Sequence, residues 1–316
     1  AKDELLIRVK ASGLNFADIL ARKGQYPDGP KTPCVMGYEV SGVVEQVGEL
    51  VSKEWIGKGV IGLCRFKGQA SMITLKEMQV YEKPKRLTFE EAAAIPVNYL
   101  TAWVLMVTMG ALSEDESILI HNAGGGVGIA ALDIAKHIGA KTYGTASARK
   151  HEFLGDRGLD HAIDYRNNDW YEVLMDLTKG KGVDLIIDPL GGKEWKRSYK
   201  ALRATGRLGM FGISVASTNT TGGLAAKLSL IKTVLSMPKF SPLSLLDKNR
   251  GVFGVNLGHL WHEPDKAARW MKAILKGVEN GWVQPHVDKT FALEEAEQAH
   301  RYLEERKNIG KTVFRL

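Results

Sequence analysis

A glycine-rich turn constrains the fold of this chain more than any other feature. An apolar strand pattern at 117–121 precedes the turn, an apolar-faced helix pattern follows it, and a second strand begins at Lys141. In such a unit, backbone amides at a helix N-terminus face a pyrophosphate with no Cβ in the way. The pattern predicts a dinucleotide-binding βαβ unit, with an empty tight turn as the alternative. The predicted pyrophosphate contacts are Ala123, Gly124, Gly125, Gly126 and Val127.

The end of the second strand indicates which dinucleotide is bound. An NAD site usually carries Asp or Glu at this point, where it accepts the ribose hydroxyls. Here the strand ends at Ala146-Ser147, and Arg149 and Lys150 follow. Two cations without a carboxylate favour a 2′-phosphate, so NADP(H) is the predicted cofactor. The alternative is that Arg149 and Lys150 only begin a solvated helix.

Composition limits the size of the fold and the class of partner. The chain has 316 residues, of which 44% are hydrophobic, so two domains are expected. The net charge of +7 is spread along the chain without a Lys/Arg tract, so nucleic acid is not an expected partner. Two cysteines and the absence of a signal peptide pattern make the reducing cytoplasm the expected location.

The segment 92–112 contains no charged residue and is about as long as a membrane span. Pro96 and Asn98 lie within it, and the predicted nucleotide-binding strand follows at once. These features favour a buried interdomain helix over a membrane span.

The order of elements predicts an α/β fold with a β-rich first domain. Strand patterns dominate up to about residue 80, and strands and helices alternate afterwards. The alternating part predicts a doubly wound, six-stranded parallel sheet with right-handed crossovers. The predicted strands of this sheet are 117–121, 141–145, 161–164, 183–188, 207–211 and 251–255, and a last strand at 311–315 is expected to return to the first domain.

Four motifs resemble the medium-chain dehydrogenase/reductase superfamily. They lie at 13–18, 22–27, 37–42 and 96–102. The zinc-free quinone oxidoreductase branch, which includes zeta-crystallin-like proteins, fits best. Segments at 144–147, 150–152 and 308–311 look closest to the vesicle amine transport protein 1 group. The resemblance implies a GroES-like catalytic domain at 1–97 with 256–316 and a Rossmann domain at 98–255. It also implies that the usual opening strands before Ala1 are missing.

Zinc distinguishes the branches of this superfamily. Zinc-dependent relatives hold the metal with Cys and His, because thiolate and imidazole suit Zn²⁺. Asn15 stands where the first Cys motif would be, and Tyr38 replaces the His before Glu39. Cys64 and His121 are expected to be core or turn residues, so no metal site is predicted.

The resemblance also implies how substrate is reduced. Without a metal, hydrogen bonds from the site polarise the acceptor, and the acceptor receives a hydride from the nicotinamide. Asn15 and Tyr26 are expected to line the cleft, Thr101 to lie near the nicotinamide ring, and Gly212 and Ser214 to face its carboxamide. Quinones and activated alkenes suit this chemistry. An enoyl-thioester or enone reductase with Tyr26 as proton donor is the alternative. Simple turn roles for Asn15 and Tyr26 also remain open.

Further cofactor contacts follow from the resemblance. Lys150, Tyr165 and Arg306 match positions that hold the 2′-phosphate, and Gly144 and Ser147 would contact the adenosine. Tyr165 could equally end a strand, and Arg306 could equally end a solvated helix.

The segment 220–250 combines leucines with lysines and then prolines, which predicts an amphipathic helix followed by a loop. A lid over the acceptor pocket, a subunit interface and a membrane-surface contact all fit this pattern.

A homodimer joined through edge strands near Phe253 is expected. A lipid-associated adaptor that binds nucleotide without turnover is a further alternative to the reductase.

Overall fold

The computed structural model describes residues 1–26, 29–214 and 231–316. Its contacts divide the chain into two compact units. Unit 1 comprises Ala1–Leu100 and Leu257–Leu316, and unit 2 comprises Thr101–Asn256.

Unit 1 is built on a mixed sheet. Its strands are β1 (Glu4–Leu14), β2 (Glu39–Val47), β3 (Gly59–Leu63), β4 (Met72–Lys76), β5 (Val80–Glu82), β12 (Val287–Ala292) and β13 (Lys311–Arg315). In the described chain these seven strands have the order β12-β13-β1-β2-β3-β5, with β4 also paired to β1. Strand β1 is the centre of the sheet, because it pairs antiparallel with β2, β4 and β13.

Apolar side chains at every second position of β1 and β2 bury one face of this sheet. Leu5, Ile7 and Val9 are at most 2% exposed and pack with Val40 and Val44. Because side chains in a strand point alternately to opposite faces, this period of two gives the sheet a continuous apolar layer. The helices of unit 1 are α1 (Phe16–Arg22), α2 (Phe89–Ala93), α9 (Pro264–Glu279) and α10 (Ala296–Glu304), together with the first part of α3 (Pro96–Trp103).

A buried histidine on α10 makes unit 1 sensitive to acid. His300 is 6% exposed, and burial together with the positive charge of Arg22 lowers its pKa to about 4. Its Nδ1 has no hydrogen-bond partner among the described residues. Between pH 6.5 and 4, His300 is therefore protonated in the unfolded chain but still neutral in the folded chain. The free energy of unfolding falls as the pH falls through this range.

We expect that the free energy of unfolding of His300→Gln depends less on pH below neutrality than that of the wild type. Between neutral pH and about pH 4.5, the wild-type free energy of unfolding should fall by about 2 kcal/mol more than that of the variant. Urea unfolding at a series of pH values measures this difference. His262→Gln is the control, because His262 is exposed and its replacement should leave the slope unchanged. Equal slopes for His300→Gln and the wild type would contradict the prediction.

Unit 2 is built on a parallel sheet. Its strands are β6 (Ser117–Ile120), β7 (Lys141–Ala146), β8 (His161–Asp164), β9 (Val183–Asp188), β10 (Leu202–Met210) and β11 (Gly251–Gly254). They have the order β11-β10-β9-β6-β7-β8, and every neighbouring pair is parallel. The central strand β9 is buried at all six residues, as expected for a parallel strand covered on both faces.

Helices connect these strands, so strand and helix alternate through unit 2. They are α4 (Gly126–Ile138), α5 (His151–Asp156), α6 (Trp170–Leu177), α7 (Glu194–Lys200) and α8 (Pro242–Lys248). The order of the strands reverses between β6 and β9, the arrangement of a doubly wound sheet. The predicted fold class, a six-stranded Rossmann sheet plus a β-rich GroES-like domain, is confirmed.

The prediction of one buried helix across 92–112 is wrong. The structure has α2, a break, α3, and then a π-helical stretch at Val104–Thr108. Pro96 explains the break, since proline cannot continue a helix that precedes it and instead begins α3. No helix among the described residues is long and apolar enough to cross a membrane.

Part of the predicted amphipathic segment at 220–250 lies outside the described residues, which resume at Ile231. Residues 231–235 are helical, and α8 follows after a loop. Several aliphatic side chains here are largely exposed: Ile231, Val234, Leu235, Leu243 and Leu246.

Candidate functional site

The glycine turn of unit 2 lies between β6 and α4. Asn122 opens it in the left-handed conformation, with a φ of 55°, and Gly125 is the N-cap of α4. The Ala123 amide donates to Thr145 O at 3.0 Å, which ties the turn to the end of β7. The amide groups that follow Ala123 therefore lie at the N-terminus of a thirteen-residue helix, a favourable place for a phosphate.

Gly128 lets α4 begin directly against this turn. A methyl group on Gly128 would lie 2.5 Å from the Asn122 carbonyl oxygen and 2.6 Å from the Ala123 carbonyl carbon. These are backbone atoms, so the substitution would push the helix away from the turn.

We expect Gly128→Ala to weaken dinucleotide binding at least tenfold, because the displaced helix no longer aligns its amides. Isothermal titration with NADPH measures the loss. Gly155→Ala is the matched control, since a methyl group on Gly155 of α5 meets no atom within 4 Å and removes a helical glycine. Unchanged affinity in Gly128→Ala would show that the turn does not hold the cofactor.

Lys150 lies against the glycine turn. It is 4% exposed, and a methyl group on Gly124 would lie 2.6 Å from its Cδ and 3.5 Å from its Nζ. The ammonium is therefore held beside the turn, where burial makes its charge effective. Arg149 is exposed at the same corner of the fold.

The other residues predicted to bind cofactor in unit 2 follow the carboxyl ends of its strands. Ser147 follows β7 and is 7% exposed, Tyr165 follows β8, and Gly212 and Ser214 follow β10. This edge of a parallel sheet is where ligands bind in such folds. Gly144 lies within β7, and a methyl group there would meet Ala123 Cβ at 2.8 Å. Gly144 thus permits close packing of the turn.

The surroundings of Tyr165 and Arg306 do not by themselves indicate a contact with the cofactor. Tyr165 packs against the apolar cluster of unit 2, as its strand-end alternative requires. Arg306 belongs to unit 1, where it follows α10 with a φ of 56°. Their contacts with the 2′-phosphate stay predictions.

A buried polar network lies beneath the turn. His121 Nδ1 is 3.1 Å from Thr145 Oγ1, and its Nε2 is 3.1 Å from Ser198 Oγ. Ser198 Oγ donates to Asp188 Oδ2 at 2.6 Å. Burial lowers the pKa of His121, although the Asp188 carboxylate opposes the shift, so the ring is neutral. His121 is thus a buried residue of the strand–turn junction.

A second polar cluster surrounds Asn15 in unit 1. Lys311 Nζ donates to Asn15 Oδ1 at 2.7 Å, and Asn15 Nδ2 donates to Glu39 Oε1 at 2.8 Å. Lys311 also donates to Glu39 Oε1. The other carboxylate oxygen of Glu39 accepts from the Val97 amide at 2.7 Å, at the first turn of α3. Asn15, Glu39 and Lys311 are at most 8% exposed.

Sheet register brings these groups together. Asn15 follows β1, Glu39 begins β2 and Lys311 begins β13, and β1 pairs with both of the other strands. Gly13 leaves room for them, because a methyl group there would lie 2.6 Å from Lys311 Cε and 2.8 Å from Glu39 Cδ.

The partners of Asn15 fix the orientation of its amide. An ammonium only donates hydrogen bonds and an ionised carboxylate only accepts them. Lys311 must therefore face Asn15 Oδ1, and Glu39 must face Asn15 Nδ2. An amide nitrogen carries two hydrogens, so one Nδ2 hydrogen remains after the bond to Glu39.

Asp18 supports the backbone beside this cluster. Its carboxyl oxygens accept from the Asn15 amide at 2.9 Å and the Gly37 amide at 3.0 Å. Burial raises the pKa of Asp18 to about 7, against the opposing effect of these two hydrogen bonds and of the Lys311 charge. Sequence reasoning missed Asp18, Glu39 and Lys311 as site residues. The available signal for Lys311 was a lysine at the start of a strand that was predicted to return to the first domain.

Tyr26 and Thr101 lie in different units. Tyr26 is half-buried in unit 1 and packs edge-on against Tyr38, with ring centroids 6.4 Å apart. Thr101 is 7% exposed within α3 and is grouped with unit 2. Their catalytic roles stay predictions.

In the part of the chain that the structure describes, no three His, Cys, Asp or Glu side chains are grouped so that they could hold a metal ion. Cys64 is buried, and its thiol faces the Gly37 carbonyl oxygen at 3.4 Å. Burial raises the pKa of this thiol well above its usual value, which opposes the thiolate that a metal needs.

Two family profiles match the chain. An alcohol dehydrogenase GroES-like domain matches residues 1–101, and a domain described as a zinc-binding dehydrogenase matches residues 157–314. Among curated relatives, the synaptic vesicle membrane protein VAT-1 homolog of Danio rerio is 39% identical over 98% of this chain. The chain spans 64% of that relative's length.

Solved structures show the same fold in reductases. Quinone oxidoreductase of Escherichia coli, complexed with NADPH, has a TM-score of 0.85 and 27% identity, covering 100% of this chain and 92% of that one. CurK enoyl reductase has a TM-score of 0.83 and 30% identity, covering 99% and 91%. The predicted NADP(H) cofactor is confirmed at the level of the family.

These matches extend over both units and agree with the Rossmann sheet, the GroES-like sheet and the glycine turn. The chain therefore belongs to the medium-chain dehydrogenase/reductase superfamily of oxidoreductases.

Proposed function

We propose that this protein is an NADPH-dependent, zinc-independent reductase that transfers a hydride to a quinone or to another activated carbonyl or alkene. The observation that supports this most directly is the orientation of Asn15 by Lys311 and Glu39. It leaves an amide N–H as a fixed hydrogen-bond donor at the position where zinc-dependent relatives carry a metal ligand.

The residues of unit 2 fit NADPH. The turn amides at the start of α4 would hold the pyrophosphate, and Lys150 beside Gly124 would hold the 2′-phosphate. A methyl group on Gly124 would collide with Lys150, and one on Gly128 would push the helix away from the turn, so this site needs both glycines. When bound, NADPH supplies the hydride, and the one proton that is also needed to form a hydroquinone comes from the medium.

The cluster in unit 1 would polarise the acceptor. The second Nδ2 hydrogen of Asn15 would donate to the acceptor oxygen, where negative charge develops as the hydride arrives. The Lys311 ammonium on Asn15 Oδ1 makes the amide a stronger donor, since a charged partner polarises it. The same ammonium, 2.7 Å from Oδ1, repels a divalent cation from that atom, which supports zinc independence.

The test compares two acceptors with the purified protein. NADPH oxidation is followed with an ortho-quinone and, separately, with a trans-2-enoyl thioester. Asn15→Ala should lower kcat for the quinone about 100-fold, because a fixed donor to a developing oxyanion is lost, while NADPH affinity is unchanged. Asn280→Ala, an exposed amide at the end of α9, is the control. No quinone turnover by the wild type would overturn the proposal.

The structural likeness to CurK enoyl reductase favours one other enzyme activity. In that case the thioester is the preferred acceptor, and Tyr26 donates the proton. Tyr26→Phe should then abolish thioester turnover but leave quinone turnover nearly intact, because only the alkene needs a proton placed on carbon.

Two observations favour a non-catalytic role as a lipid-associated adaptor. The relatives are named as synaptic vesicle membrane proteins, and α8 carries exposed leucines. In that case the protein binds NADPH but reduces neither acceptor, and it contacts anionic lipid through 220–250. Liposome flotation at low salt, with the whole protein and with Leu243→Asp/Leu246→Asp, tests this role. We propose the cytoplasm as the location for both the reductase and this adaptor.

We also propose a homodimer joined through β11, which contains Phe253. This strand is at the edge of the parallel sheet and pairs only with β10 among the described residues. An unpaired edge accepts a second copy of itself by strand addition. Sedimentation equilibrium that shows only monomers would exclude this assembly.

A further inference from the structure

Five polar groups form an unbroken chain of hydrogen bonds beneath the glycine turn. The backbone nitrogen of Asn122 lies 3.2 Å from Thr145 Oγ1. The hydrogen bonds then continue through His121 and Ser198 to the carboxylate of Asp188. The four side chains after the amide are at most 3% exposed. A network of buried, hydrogen-bonded side chains of this kind is rigid, because each broken bond between them leaves a polar group without water.

The carboxylate at one end of the chain, together with a neutral His121 ring, fixes the direction of its hydrogen bonds. A carboxylate only accepts, so Ser198 uses its single hydrogen on Asp188. Ser198 Oγ must then accept from His121 Nε2–H. In the neutral ring the other nitrogen, Nδ1, has no hydrogen and accepts from the Thr145 hydroxyl. Thr145 in turn accepts from the backbone N–H of Asn122, so all the bonds run in one direction.

Each end of the chain holds a loop at the carboxyl edge of the sheet. Asn122, at one end, opens the glycine turn in its left-handed conformation. At the other end, the second oxygen of Asp188 accepts from the Leu190 amide at 2.6 Å. The adjacent Pro189 carbonyl oxygen accepts from the Ser214 amide at 2.8 Å. The chain thus joins the turn for the pyrophosphate to the loops after β9 and β10.

We propose that His121 is a positioning residue for the cofactor, whose ring holds the pyrophosphate turn and the loops at the nicotinamide side in one geometry. The inference rests on the NADPH site proposed above, and it gives a role to a residue that no step of hydride transfer uses. His121 touches neither the substrate nor the cofactor in this role. It acts through Thr145 on one side and through Ser198 on the other.

Two amide substitutions separate the two sides of the ring. In His121→Asn the side-chain oxygen falls near the Nδ1 position and keeps the bond to Thr145. In His121→Gln the side-chain nitrogen falls near the Nε2 position and keeps the bond to Ser198. The ligands are NADPH and 2′-phospho-ADP-ribose, which lacks the nicotinamide, and their dissociation constants are measured by titration calorimetry.

His121→Gln should weaken both ligands about tenfold, because the pyrophosphate turn loses its support. His121→Asn should bind 2′-phospho-ADP-ribose within about twofold of the wild type but weaken NADPH about fivefold, since only the nicotinamide side is loosened. His161→Gln is the matched control. It makes the same change at the first residue of β8, at the opposite edge of the sheet, and should leave both constants unchanged.

Two results would overturn the proposal. One is that both His121 variants, folded by near-UV circular dichroism, bind both ligands like the wild type. The other is that both variants weaken both ligands equally, which a general loss of packing would produce. The measurement needs no acceptor. A wild-type protein that binds NADPH but reduces no acceptor would therefore refute the proposed reductase without affecting this comparison.

Discussion

Lys311→Met is expected to lower the free energy of unfolding by about 3–5 kcal/mol, because it leaves the buried carboxylate of Glu39 without its cation. Glu39 is 0% exposed and Lys311 is 3% exposed, so water cannot replace the lost partner. Lys311→Arg should retain more of the stability, since it keeps the charge. Lys289→Met on the neighbouring strand β12 is the control, because Lys289 is exposed and should cost less than about 1 kcal/mol. Urea unfolding measures all three.

A double variant separates stability from the orientation of Asn15. In Glu39→Gln/Lys311→Met neither buried charge remains, so most of the lost stability should return. The side-chain oxygen of the new glutamine must then accept from the Val97 amide, which leaves its NH₂ group facing Asn15. The Asn15 amide has to turn over to accept from it. Quinone turnover should therefore stay about 100-fold low although the protein is stable. Recovery of both properties would refute the role of the Asn15 donor.

Lys150→Ala is expected to weaken NADPH binding about 10- to 100-fold while changing NADH binding less than about threefold. The difference arises because only NADPH carries the 2′-phosphate, and a hydrogen bond between two charged groups contributes about 1.5–3 kcal/mol. Lys150 is 4% exposed beside Gly124, so this bond would be poorly screened by solvent.

Binding of both cofactors is measured by fluorescence titration at constant ionic strength. Lys181→Ala removes the same charge before β9, at the opposite edge of the sheet, and should leave both affinities unchanged. An equal loss for NADPH and NADH would show that Lys150 does not contact the 2′-phosphate.

Local patterns in the sequence predicted most of unit 2. The strand at 183–188 lies where its apolar run predicted it, because a parallel strand covered on both faces must be apolar throughout. The edge strand at 161–164 was also predicted correctly, although only Ile163 within it is buried. The glycine turn was equally clear, since its residues are chosen for close approach of the backbone. The segment 92–112 was harder. Pro96 was evident in the sequence, but the even hydrophobicity of the segment favoured one helix over two, and nothing in its composition indicates the π-helical stretch that follows.

The polar clusters could be predicted only in part. Asn15 was found through its motif, but its partners depend on the register of β1 with β2 and β13, which lie far apart in the sequence. His121 was expected to be a core or turn residue, and a single histidine in an apolar strand gives no sign of its partners. Long-range pairing sets both clusters, so local sequence patterns cannot specify them.

The position of Lys311 in the chain has a consequence for biosynthesis. Glu39 and Lys311 are 272 residues apart, and all of unit 2 lies between them. At about 5–20 residues per second, a ribosome needs on the order of tens of seconds to make that stretch. During this time the Glu39 carboxylate on β2, which is buried in the folded protein, has no Lys311 ammonium to pair with. Unit 2 is complete before β13 emerges, so the nucleotide fold can form first, and the sheet of unit 1 closes only after β13 has been made.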